Sequence, residues 1–232
     1  STSMYPILFQ FKNYVLMTYT ATSFLAMLAA MTPVLAEARR LGWNIPKTRW
    51  LVVQCTIIGF IGAHVLYAFT RFDLPWNEWW RLLINVGHGN VWFGGFLASW
   101  VHCHLYAKRN GIKTFEMYDV AAFAVLMAVV VGRFGCIFGG CCYGTPTQLP
   151  WGITLNTAEY GFTSVHPVAL YESLYQGLLF VVLWSLRKKN TYHGQTGVRY
   201  LVLVPLGRFM FEFFRGDSIR GFVLGWVSTS QF

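Results

Sequence analysis

Charge is scarce in this sequence: only 12% of its 232 residues are Asp, Glu, Lys or Arg, nine of them acidic and 18 basic. A soluble domain carries about 25% charged residues, so an ordinary water-facing globular surface is excluded. The basic residues are divided among short loops and build no soluble basic domain, which excludes nucleic acid as a partner. Nothing at the start resembles a cleavable leader. The first apolar run is too long for one, and it has neither a basic start nor a small-residue cleavage site, so it is expected to remain as a span. One absence is local: from Tyr143 to Pro167 there is no Lys or Arg.

Apolar residues are abundant, at 55% hydrophobic and 18% aromatic with a mean hydropathy of +0.45. Crossing about 30 Å of hydrocarbon takes about 20 mainly apolar residues. Suitable segments run near Tyr14 to Ala36, Trp50 to Thr70, Val91 to Ala107, Val120 to Phe138, Leu170 to Leu186 and Val198 to Phe214. A further apolar segment starts at Gly221 but is too short to span by itself, so either a truncated seventh span or an interfacial piece is expected there. The expected fold is therefore all-α: a polytopic membrane helix bundle of six full spans, forming one integral-membrane domain over 1–232. Lys and Arg of short loops orient such a bundle. They gather in alternate loops: Arg39, Arg40, Lys47 and Arg49, then Lys108, Arg109 and Lys113, then Arg187, Lys188, Lys189 and Arg199. This places those loops in the cytoplasm and the N-terminus outside. The net charge of +9 follows from that asymmetry beside anionic lipid.

Against this background the run Gly132-Arg133-Phe134-Gly135-Cys136-Ile137-Phe138-Gly139-Gly140-Cys141-Cys142-Tyr143-Gly144 is conspicuous, because it ends an apolar segment with an arginine, three cysteines and five glycines. An arginine inside hydrocarbon is costly unless it pairs or meets a polar cavity, and it marks a functional site by default. Arg133 lies about 21 Å along its span at 1.5 Å per residue, in the outer half. The same topology brings His166, Tyr171 and Glu172 to the outer surface, with His64 and the Gly87-His88-Gly89-Asn90 turn at the same level. Arg208, Glu212 and Arg215 share one helix face by their spacing of four and three. Two intramembrane arginines suit an anionic lipid head group, since guanidinium keeps its charge and binds phosphate bidentately. A buried Arg–Glu network that merely fixes helix register is the alternative.

Three elements in order, Gly132-Arg133-x-Gly135, His166-Pro167-x-x-Leu170-Tyr171-Glu172 and Gly207-Arg208-Phe209-x-x-Glu212-Phe213-x-Arg215 with Asp217, resemble the prolipoprotein diacylglyceryl transferase family. Tyr14-x-Leu16-Met17, Phe93-Gly94-Gly95 and Gly225-Trp226-Val227-Ser228-x-x-Gln231 extend the resemblance over nearly the whole chain. It implies a bundle that takes diacylglycerol from phosphatidylglycerol at the outer face of the bacterial plasma (inner) membrane. The acceptor would be the lipobox cysteine of a prolipoprotein, joined as a thioether with release of glycerol phosphate. Arg133, Arg208 and Glu212 carry over as catalytic; the family's histidine at the turn does not, and the base is expected from His166 or His88 instead. Arg133, Arg208, Arg215, Tyr171, Glu172, Gly94 and Gly95 carry over to substrate binding. The chain also departs from the family pattern: Cys136 and Gly139 stand where the family has asparagines, Cys141 where it has glutamate, Phe93 for its histidine and Val204 for a tyrosine.

The cysteines leave several chemistries open. Cys136, Cys141 and Cys142 can be small packing residues, partners in a disulfide on the oxidising side, or thiolates activated beside Arg133. With His166 they also match a tetrahedral metal set by ligand type, but their spacing is no standard zinc pattern, so neither metal nor cofactor is expected. His102 and His104, two residues apart on a helix, point away from each other and read as packing. Two rivals to the transferase remain: a cysteine-dependent paralogue acting on another lipid or acceptor, and a catalytically silent lipid-binding subunit with partners in a membrane complex.

Overall fold

A computed structural model describes residues 7–11, 14–71, 75, 79–81, 91–157, 160–215, 222–223 and 227–228. Six helices carry the architecture: α1 Thr18–Leu41, α2 Ile45–Phe69, α3 Trp92–Arg109, α4 Thr114–Phe138, α5 Val168–Leu186 and α6 Gln195–Glu212. Four of them are long and apolar enough to cross a membrane, within Ala21–Leu41, Ile45–Phe69, Thr114–Phe138 and Val168–Lys189. The protein is a multi-pass membrane protein, mostly helical as its hydropathy predicts.

The all-α expectation needs correction at three places, where short antiparallel hairpins form: β1 Ile7–Phe11 with β2 Tyr14–Met17, β3 Ile153–Thr157 with β4 Gly161–Val165, and β5 Phe222–Val223 with β6 Val227–Ser228. The first apolar segment accordingly begins as strand over Tyr14–Met17 and turns helical only at Thr18. Hydropathy marks such a segment as apolar, but four residues are too few to reveal a period of two or of 3.6.

The chain divides into two compact units, Val34–Val120 and the combination of Ser1–Pro33 with Ala121–Phe232. In the first, local signals set the helix ends. The Asn44 side chain accepts from the Lys47 amide at 3.0 Å to cap α2. Gly42 at φ +74° and Gly111 at φ +66° follow α1 and α3, each helix closing on basic residues, Arg39 and Arg40 or Lys108 and Arg109, that complement the helix dipole. Helices α2 and α3 pack backbone to backbone. A Cβ on Gly95 would sit 2.8 Å from the Gly59 carbonyl oxygen, and one on Gly94 would run into that of Gly62. Such a small-residue seam is the usual way for apolar helices to gain close contact in lipid.

In the second unit, Ala122, Phe123, Leu126, Leu179, Leu183 and Tyr200 form a core shared by α4, α5 and α6. Two hydrogen bonds fix the register of α5 in it. Ser173 Oγ donates to the Val130 carbonyl at 2.9 Å, and Tyr175 Oη donates to the Leu203 carbonyl at 2.7 Å. Gly207 leaves room for the Tyr175 ring, which any Cβ there would strike. Glu172 and Arg133 follow from the first bond, Arg208 from the second: each lies within a turn or so of it.

Candidate functional site

The register just described brings three arginines onto one carboxylate. Glu172 is buried, its side chain only 5% exposed, and it pairs with Arg133 of α4, Arg208 of α6 and, at 3.8 Å, Arg215 beyond α6. Glu212 adds a second carboxylate 3.8 Å from Arg208 Nη2. The sequence spacing singles out Glu212 as the partner, because a contact within one helix can be read from residue numbers; the centre of the cluster is instead Glu172, which reaches across from α5. Arg133 and Arg208 stay about a quarter exposed, at 23% and 26%, while Arg215 is buried at 3%. Three arginines less two glutamates leave one positive charge among the described residues.

A small layer of extended backbone holds the end of this cluster. Gly144 pairs with Arg215 and Pro146 with Val165 as isolated β-bridges. Thr145 N–H donates to the Phe214 carbonyl at 2.9 Å, Gly144 N–H to that of His166 at 2.8 Å, and His166 N–H to that of Thr145 at 3.0 Å. A Cβ on Gly144 would stand 2.7 Å from the His166 Cβ and would strike the Phe214 carbonyl, so three segments meet here only because residue 144 is glycine. The His166 side chain faces Tyr171, Nδ1 to Oη at 3.2 Å, and Trp151 Nε1 donates to the same hydroxyl at 2.9 Å. Tyr171 Oη, which accepts from Trp151, can accept from His166 Nδ1–H as well, and in that tautomer Nε2 is the basic nitrogen.

The cysteines converge as well. All five are free thiols, and the sulfurs of Cys136, Cys141 and Cys142 lie within 4.8 Å of one another, without His166. Helix α4 ends in Gly140 at φ +67°, and Cys142 follows at φ +58°, the one non-glycine among the described residues in this left-handed region. That backbone is costly for a side chain with a Cβ and persists where surroundings impose it. Hydrogen bonding from Cys136 and then Cys141, helped by Arg215 and Arg133, holds the Cys142 thiol well below its ordinary range.

The remaining expected residues belong to the other unit or fall outside the described residues. Gly94 and Gly95 belong to the other unit, where they form the α2–α3 seam. His64 is buried in α2. His102 bonds Gln54 at 3.2 Å and His104 bonds Tyr118 at 2.8 Å, which is packing. His88 and Asp217 lie outside the described residues. Two residues were not foreseen: Trp151, which no motif marks, and Gln176, one turn beyond Glu172. Gln176 is buried and its Oε1 has no hydrogen-bond partner among the described residues. A polar residue four positions from Glu172 in an apolar run was the available signal.

The prolipoprotein diacylglyceryl transferase family model matches residues 6–232. The chain belongs to this family. It is 31% identical to the phosphatidylglycerol–prolipoprotein diacylglyceryl transferase of Clostridium tetani over 99% of this chain and 92% of that protein. The protein of the same name from Gloeobacter violaceus is 30% identical over 99% and 87%, and that of Wolinella succinogenes 32% over 78% and 68%. Membership accounts for the motifs at α4, α5 and α6. The thiol cluster stands inside the first of these motifs.

Proposed function

We infer that this protein transfers the diacylglyceryl group of phosphatidylglycerol to the lipobox cysteine thiol of a prolipoprotein, acting as one domain. The observation that carries the reading is the Arg133–Arg208–Arg215 cluster around Glu172 and Glu212, in which Arg133 and Arg208 stay partly exposed. Guanidinium groups keep their charge and bind phosphate oxygens bidentately, which suits the phosphodiester of a lipid head group.

Roles follow from exposure. Arg133 and Arg208, partly exposed, hold the phosphate oxygens; Glu172 and the buried Arg215 fix the guanidinium planes; Glu212 supports Arg208. Gln176 Oε1 accepts from a substrate hydroxyl. The acceptor sulfur attacks the glycerol carbon of the diacylglyceryl group, the C–O bond to phosphate breaks, and its electron pair leaves with glycerol phosphate. The phosphate gains charge as that bond breaks, so the arginines bind the transition state more tightly than the lipid, the condition for catalysis. His166, oriented by Tyr171 and Trp151, is placed to take a proton beside this site. The alternation of basic loops supports six spans with the N-terminus outside and the site facing the outer side of the plasma membrane.

The test is transfer of labelled diacylglycerol from phosphatidylglycerol to a lipobox peptide by the purified chain in lipid nanodiscs. A thioether-linked product is expected, with no product from a peptide carrying Ser for Cys. Intact lipid binding without transfer would overturn the activity and leave a lipid-binding protein.

A further inference from the structure

The reaction just proposed needs an activated acceptor thiol, and the thiol cluster has no part in it so far. We propose that Cys136, Cys141 and Cys142 form a three-thiolate zinc site whose open fourth position binds the acceptor cysteine. This rests on the transferase reading above.

The geometry suits that ion. Tetrahedral zinc with Zn–S bonds of about 2.3 Å needs sulfurs about 3.8 Å apart, and the three sulfurs here already lie within 4.8 Å. Closing that difference asks for about 1 Å of side-chain movement, at a loop whose two left-handed residues, Gly140 and Cys142, already turn it back on the helix end. Soft thiolate ligands select zinc over magnesium, calcium or manganese. Three protein ligands are the number that leaves a catalytic zinc one position for a reactant. Three thiolates on one dication carry net negative charge, and positive neighbours are at hand. Arg133 stands one helical turn before Cys136, and Arg215 pairs through its backbone with Gly144, two residues past Cys142.

The chemistry also discriminates among uses of the cysteines. Were one of them the nucleophile, it would end as a thioether on the protein, a carbon–sulfur bond with no good leaving group, and turnover would stop after one event. A metal avoids this. The acceptor thiol loses its proton on coordination; the metal-bound sulfur forms the new C–S bond with a lone pair as the C–O bond breaks. The departing glycerol phosphate takes the electron pair and leaves mainly as the dianion, its second pKa being about 6, while the proton displaced on coordination passes to solvent. Nothing is oxidised or reduced. The product sulfur, now a neutral thioether, is a weaker ligand than a thiolate, so the fourth position reopens.

The experiment uses the full chain in nanodiscs, purified without chelator. Expected are one zinc per chain by elemental analysis and, after exchange to Co2+, the charge-transfer absorption of a cobalt–thiolate site, which a Cys lipobox peptide shifts and a Ser peptide does not. Stripping zinc with a chelator lowers transfer about 100-fold or more, and restoring Zn2+ recovers it. Cys142→Ser lowers zinc affinity with the lipid still bound. Zinc absent from the purified chain and not taken up from added Zn2+, a cobalt spectrum blind to the Cys peptide, or full transfer by stripped protein would each overturn the zinc site. The last would do so while the transferase reading stood. Conversely, a peptide-responsive cobalt site without transfer would sink the transferase reading and keep the thiol-binding metal site.

Discussion

Two groups of cysteines lie in this molecule under opposite conditions. Cys55 and Cys103 face each other across the α2–α3 seam, their sulfurs 3.4 Å apart and Ser99 Oγ donating to the Cys55 carbonyl at 2.9 Å. Both sit in regular helix, where a thiol is a small polarisable packing group. Cys136, Cys141 and Cys142 sit where a helix ends in strained backbone, one turn from Arg133 and two residues from the strand-like segment that pairs with Arg215. The residue type is the same; the surroundings separate structural thiols from chemical ones. The same contrast divides the glycines. Gly59, Gly62, Gly94 and Gly95 bring helices together, whereas Gly144 brings three loop segments to the arginine cluster.

The strongest way to break this contrast is to remove an arginine proposed to bind phosphate. Arg208→Ala is expected to lower kcat/KM for transfer by about 100- to 1,000-fold, the loss seen when one preorganised donor to developing charge is deleted. The double change Cys55→Ser with Cys103→Ser should leave it within about twofold. Transfer assays on both proteins decide the point, and equal losses would abolish the distinction.

Next in size is the carboxylate at the centre. Glu172→Gln leaves three arginines facing one carboxylate, and removing one partner of a buried ionic group costs about 3–5 kcal/mol. Thermal unfolding in detergent should register that loss. An unchanged midpoint would mean the cluster is hydrated and not a buried ionic centre.

Much of this is legible in the sequence. Helix positions follow from hydropathy, and Arg133, Arg208 and Arg215 stand out because charge inside an apolar run needs a reason. Glu172 was visible but its rank was not, since an ion pair across helices depends on the Ser173–Val130 and Tyr175–Leu203 register, whereas Glu212 announces itself by lying four residues from Arg208. The convergence of the three sulfurs depends on the backbone angle of Cys142, which residue spacing does not encode. The hairpins were missed because strands of two to five residues leave too short a pattern to detect.

Smaller effects sharpen the comparison between seam and site glycines. Gly94→Ala drives a methyl into the Gly62 backbone and should destabilise by about 1–3 kcal/mol, the usual cost of overpacking. Gly132→Ala, with no atom within 4 Å of the added carbon, should be neutral or stabilise α4 by up to about 1 kcal/mol. Unfolding midpoints of the two variants should therefore move in different directions or by clearly different amounts. A similar loss in both would deny the seam its role.

The central claim is that Arg133 and Arg208 together hold the phosphate of the lipid substrate. A structure of the full chain in phosphatidylglycerol nanodiscs tests it directly. The account predicts a lipid phosphate within about 2.7–2.9 Å of guanidinium nitrogens of both residues, next to Gln176 and the thiol cluster. A bound phosphatidylglycerol whose phosphate touches neither arginine, with both still closed on Glu172, would contradict it.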